Sequence, residues 1–195
     1  MKRAFAFNLV SAVLSGCAAT APPPPDHTSQ SNIPFEPAVG HFDRDCNAPV
    51  GKYQKFDFLL PSKKVRITGN IQFLGTREDG RFAGAASVYL SGAEDGQTPA
   101  IGLQTYVMPD SPYMVRLELH SGGSLKPRSE FASLPLTSTP FAFSLTLDDT
   151  GRLVVSAEHS VSTRRIDLKG LTRIVLSCSA AHVSFTDVAI VDRAQ

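Results

Sequence analysis

Beyond residue 42 apolar side chains recur at every second position and at no helical spacing, which restricts this part of the chain to sheet. Val65, Ile67, Gly69, Ile71 and Phe73 alternate with Arg66, Thr68, Asn70 and Gln72, as in a strand with one face in a core and the other in water. The same alternation places Ala86, Val88 and Leu90 on one face, then Val115, Leu117 and Leu119, then Phe141, Phe143, Leu145 and Leu147, then Leu153, Val155 and Ala157. Asp148, Asp149, Thr150 and Gly151 read as a hairpin turn in which Gly151 supplies the positive φ. Ile174, Val175 and Leu176 lead to Cys178, a short turn is expected after it, and a final strand carries Val183, Phe185, Val188 and Ile190. The apolar parity changes between Phe185 and Val188, so a bulge is expected at Thr186 or Asp187. The expected fold class is all-β, an antiparallel sandwich of two sheets packed face to face, preceded by a signal helix and a Pro-rich linker.

The amino-terminal residues follow a different logic. Lys2 and Arg3 precede an apolar stretch from Ala4 to Leu14 broken only by Asn8 and Ser11, the pattern of a secretory leader. That stretch is too short to span a bilayer, and none in the chain is longer. Leu14, Ser15, Gly16 and Cys17 then resemble the lipobox of bacterial lipoproteins. The resemblance implies that the Cys17 thiol is alkylated by a diacylglyceryl group, that residues 1–16 are removed and that the new amino end is acylated. Ala18 at the second mature position is not the Asp that family uses for inner-membrane retention, so the implied address is the outer membrane of a Gram-negative cell. An ordinary signal peptide cut after Ala18 or Ala19 is the alternative.

Residues 17–41 shift to Pro22, Pro23, Pro24, Pro25 and a run of small polar residues, a disordered and partly extended linker rather than a folded unit. Residues 42–195 then form one domain, large enough to bury a core without a metal. The formal net charge of +1 becomes slightly negative once Lys2 and Arg3 leave with the leader, so nucleic acid is excluded as a partner on charge.

The Gly151, Leu153, Val155 hairpin and a closing strand with Val183, Phe185, Asp187, Val188 and Ile190 resemble the concanavalin A-like lectin and glucanase jelly roll, which laminin G-like modules share. In that fold the first and last strands are neighbours. The resemblance therefore implies that Cys46, near the start of the domain, is disulfide-bonded to Cys178, and an even pair of cysteines suits an exported chain. Two buried free thiols are the alternative.

Glucanases of this fold carry two or three carboxylates at alternate positions on one strand, and no such row is present. Glu118 stands with Arg116 and His120 on its face of the strand, which reads more simply as a solvated sheet face than as a catalytic cluster. The histidines lack metal spacing and Asp148 and Asp149 read as turn caps, so no catalytic residue, metal or cofactor is assigned. A binding face is the stronger reading. Tyr89, Gln104, Tyr106, Arg116, Glu118 and His120 are all expected to point away from the core on neighbouring strands. Aromatic faces there would stack on sugar rings or peptide side chains, and the polar groups would direct hydrogen bonds. The sequence thus predicts a lipid-anchored envelope protein, held to the membrane by its acyl chains and binding a glycan or an envelope protein without catalysis. A degenerate glycoside hydrolase and a structural accessory lipoprotein are the alternatives.

Overall fold

The computed structural model describes residues 41–77, 83–92, 100–108, 111–121 and 129–193. The leader, Cys17 and the Pro-rich linker lie outside the described residues. Among the described residues ten strands and no helix form: β1 (His41–Leu59), β2 (Val65–Thr76), β3 (Ala85–Ser91), β4 (Ile101–Met108), β5 (Ser111–Ser121), β6 (Ser129–Pro135), β7 (Phe141–Leu147), β8 (Arg152–Ala157), β9 (Ser160–Arg165) and β10 (Arg173–Asp192). Every pairing is antiparallel.

The two longest strands make the sandwich. The first half of β10 pairs with the second half of β1 and with β3, and β4, β5 and β6 follow outward; this is the front layer. The second half of β10 pairs with the first half of β1 and with β2, and β7, β8 and β9 follow; this is the back layer. Both long strands bend where they pass between layers. In β1 the register shifts between Ala48 and Tyr53, around Gly51 at φ 71°, and in β10 Ala180 takes φ 47°. The turn expected after Cys178 is therefore absent: residues 173–192 are one strand. A single left-handed residue redirects the strand there, opposite the register shift of β1 and where its other neighbour changes from β3 to β2, and Arg77 N donates to the Ala180 carbonyl at 2.8 Å.

The parity change near the carboxyl end is a bulge, as expected, with a register shift between Thr186 and Ala189 and Asp187 at φ 52°. Gly151 closes the β7–β8 hairpin at φ 78°. The alternating residues line the interior. Ile67, Ile71, Leu145, Leu153 and Phe185 of the back layer and Leu90, Leu103, Leu117, Ile174 and Leu176 of the front layer are all fully buried.

Cys46 and Cys178 are bonded, with Cα atoms 6.0 Å apart, and both are buried. Cys46 stands in the back-layer half of β1 and Cys178 in the front-layer half of β10, so the disulfide ties the layers together beside the bends.

Candidate functional site

The outer face of the front layer is built from three transverse rows, each fixed by strand register. Asp57, Val175, Tyr89, Gly102 and His120 form one row. Lys55, Ser177, Ser87, Gln104, Glu118 and Glu130 form the second, and Tyr53, Ser179, Ala85, Tyr106, Arg116 and Ser133 the third. All six residues singled out from the sequence, Tyr89, Gln104, Tyr106, Arg116, Glu118 and His120, thus stand on adjacent strands β3, β4 and β5. The strand position of His120 is described, its side chain is not. Period-two alternation put the other five on the face away from the core, and register did the rest.

Within that face the residues divide into two groups. The first is a polar knot on β4, β5 and β6. The Tyr106 hydroxyl donates to Glu118 Oε1 at 2.5 Å, an Arg116 terminal nitrogen donates to the Tyr106 oxygen at 3.2 Å, and Arg116 Nε pairs with Glu130 Oε2 at 3.1 Å. The Arg116 guanidinium also lies 5.6 Å from the centre of the Tyr106 ring. Glu118 is 4% exposed, so the solvated face expected around it is corrected: cross-strand neighbours on both sides cover the carboxylate. Burial, and then the hydrogen bond to Glu118, push the Tyr106 hydroxyl above the ordinary phenol range.

The second group lines a depression of about 250 Å³ over β1, β10, β3 and β4. Tyr53, Ser87, Tyr89, Gln104, Ser177 and Ser179 are the polar residues that line it. The Tyr89 hydroxyl is hydrogen-bonded with Ser177, and burial raises its pKa, helped by the nearby Asp57 carboxylate. Asp57 itself pairs with Lys55 at 3.3 Å. Gln104 Oε1 is buried and has no hydrogen-bond partner. Gly102 lets β4 approach β3 here: a Cβ on it would stand 2.3 Å from the Val88 carbonyl oxygen and 2.5 Å from Tyr89 Cα.

Sequence reasoning missed Tyr53, Lys55, Asp57, Ser87 and Ser177. The signal was present for β1, where Tyr53, Lys55 and Asp57 alternate with the buried Phe56 and Phe58. What the sequence lacked was the fact that β1 and β10 border β3. A second depression of about 250 Å³, lined by Phe73, Leu134, Pro140, Phe141 and Glu158, is mainly apolar, and Glu158 Oε1 already accepts from Ala142 N at 2.7 Å. Among the described residues no group of His, Cys, Asp or Glu is arranged to hold a metal ion.

No protein-family model matches the chain, and no curated protein matches it in sequence. Solved structures do match in shape. An alginate lyase from Pseudomonas aeruginosa superposes with a TM-score of 0.52 at 11% identity, covering 67% of this chain and 65% of the lyase, so the chain spans just under two thirds of that structure. A β-glucanase from Bacillus licheniformis superposes with a TM-score of 0.51 at 6% identity, covering 78% of each chain. The fold is the concanavalin A-like jelly roll. A carbohydrate-binding module from Bacillus subtilis is also similar, with a TM-score of 0.48 at 12% identity over 80% of this chain and 99% of the module. At these identities the likeness concerns the fold, and the site has to be argued from its own residues.

Proposed function

We propose that the chain is a lipid-anchored envelope protein whose jelly roll binds a glycan, without catalysis, in the depression around Gln104 on the front layer. One observation carries this reading: Gln104 Oε1 is buried in a polar, tyrosine-lined hollow and has nothing to accept from. A buried acceptor left unpaired costs about 1–3 kcal/mol, and a ligand hydroxyl donating to it would recover that loss. The ligand best suited to such a hollow has a flat apolar face for Tyr53 and Tyr89 and several hydroxyls for Gln104, Ser87 and Ser177. A sugar ring has both. The volume, just under the usual range of about 300–1,000 Å³ for a small-molecule pocket, suits one ring with the rest of the chain running across the sheet. The alginate lyase and the β-glucanase act on polysaccharides by name, which agrees in kind with this reading.

A lipidated Cys17 supports the envelope address, with the outer membrane of a Gram-negative cell following from Ala18. The reading without catalysis is supported by the surroundings of Glu118: its Oε1 accepts from Tyr106 at 2.5 Å, it is 4% exposed, and its neighbour Glu130 is paired with Arg116.

The test is an array of envelope and cell-wall oligosaccharides probed with the full chain. Saturable binding that falls at least about tenfold in Gln104→Leu or Tyr89→Ala supports the site. Binding that both variants retain rejects it, and substrate turnover abolished by Glu118→Gln would favour the degenerate hydrolase. Incorporation of labelled fatty acid that survives Cys17→Ser rejects the anchor.

A further inference from the structure

The back layer carries a second surface, at the end of the sandwich where the chain enters it. Arg66 of β2 and Val154 of β8 stand in one transverse row, both opposite Thr146 of β7, and Arg152 lies two residues from Val154 on the same outward face. Arg152 is the direct cross-strand partner of Arg165 on β9. Arg66, Arg152 and Arg165 are all exposed, and none forms an ion pair with a described residue. Lys64 and Arg193 adjoin them, joined by a backbone hydrogen bond from Arg193 N to Lys64 O at 2.8 Å.

Asp148, Asp149, Asp167 and Asp192 stand at the same end, and all but Asp149 accept hydrogen bonds from neighbouring groups. Asp148 attracts Arg152 and so offsets part of its charge, while its Oδ1 accepts from Thr150 N, Thr150 Oγ1 and Arg152 N. Asp167 Oδ1 accepts from Lys169 N, and Asp192 Oδ1 from Ser62 Oγ. Like charges placed directly opposite each other on paired strands are destabilising. The Arg152–Arg165 pair is therefore a local cost that an external anion would relieve.

The point of entry gives the second argument. β1 begins at His41, paired with Ala189, which is itself paired with Thr68, two residues from Arg66. The tether from residue 17 to residue 40 reaches roughly 80 Å at most, and it joins the domain at this basic end.

We infer that the basic end around Arg66, Arg152 and Arg165 docks on the anionic phospholipid surface to which Cys17 anchors the chain. The inference rests on the anchor reading for its tether. A tether of this length holds the domain at an effective concentration near the millimolar range, so a patch too weak to bind membranes by itself suffices. Docking would hold the domain down by its back layer, leaving the front-layer hollow to face outward from the bilayer.

The test uses the full chain made in a lipoprotein-processing bacterium and reconstituted into vesicles. One set contains phosphatidylglycerol with phosphatidylethanolamine, the other phosphatidylcholine alone. A dicarbonyl reagent modifies exposed arginines, and peptide mass spectrometry gives each rate. Arg66, Arg152 and Arg165 should react about fivefold more slowly on the anionic vesicles, and about 0.5 M salt should restore them. Arg77, exposed past the far end of β2, should react equally on both. Equal rates on both vesicles, or equal slowing at Arg77, overturn the inference. Slowing produced by free inorganic phosphate without vesicles also overturns it, in favour of an ion site. The mass of the Cys17 peptide reads the anchor separately: acyl chains without arginine protection reject docking alone, and protection without acyl chains rejects the anchor alone.

Discussion

The Tyr106 hydroxyl donates a 2.5 Å hydrogen bond to a Glu118 carboxylate that is only 4% exposed, across the pairing of β4 with β5. A charged acceptor in this setting makes a stronger bond than a neutral one, and deleting its donor leaves part of the desolvation cost uncompensated. Tyr106→Phe should therefore lower stability by about 1–3 kcal/mol while keeping the ring under Arg116. Denaturant unfolding checks it. In the Glu118→Gln background the same change should cost less, and equal costs in both backgrounds would mean that the bond is not formed.

The phenols also make stability depend on alkali. Burial is the first cause that raises both Tyr89 and Tyr106 above the ordinary value of 10.0. In the unfolded chain these groups lose their protons near that value, while the folded chain still holds them, so the unfolded state binds fewer protons across the window between the two. The stabilising contribution is complete below about pH 10 and is lost as pH rises through the folded-state values. Unfolding free energy followed from pH 8 to 11 should fall in the upper part of that range, and the fall should be shallower in Tyr89→Phe. A slope that Tyr89→Phe does not change would reject this assignment.

Gly102 offers a steric test of the hollow. Because its missing Cβ would lie 2.3 Å from the Val88 carbonyl oxygen, Gly102→Ala must push β4 from β3 or rotate the backbone beneath Tyr89. Overpacking of this kind costs about 1–3 kcal/mol. Glycan binding should weaken with it, since Tyr89 stands beside Gly102 in the same row. Unchanged melting and unchanged binding would show that the strands have slack there.

Much of the fold was legible because one layer of core on a sandwich imposes alternation, and Val65 to Phe73 and Phe141 to Leu147 follow it, with Gly69 and Phe141 half-buried on the core-facing parity. The bulge at Asp187 was legible for the same reason, as a break in parity. The bend at Ala180 was not. Alanine carries no signal for positive φ, and the long strand it redirects reads as two strands and a turn. The candidate site was half legible. Tyr106, Arg116 and Glu118 are near one another in sequence, joined by adjacent strands, whereas Tyr53 and Ser177 reach the hollow only through the pairing of β1 with β10 and β10 with β3. Glu118 stands opposite Glu130 of β6, a strand whose sequence has little apolar alternation to announce it.

The disulfide gives the last prediction. Cys46 and Cys178 are 132 residues apart, so their bond removes a large share of the unfolded chain's freedom, about 5 kcal/mol on the chain-entropy model and about 2–5 kcal/mol in typical removals. It also fastens the two layers beside Gly51 and Ala180, where both long strands leave regular geometry. Cys46→Ala/Cys178→Ala should thus unfold at lower denaturant, and because it spares the pairing of β2 with β7 and of β3 with β4, it should keep the β-rich circular dichroism of the parent. Equal stability of the double variant and the parent, with the parent shown by mass to be oxidised, would mean that the bends are held by strand pairing alone.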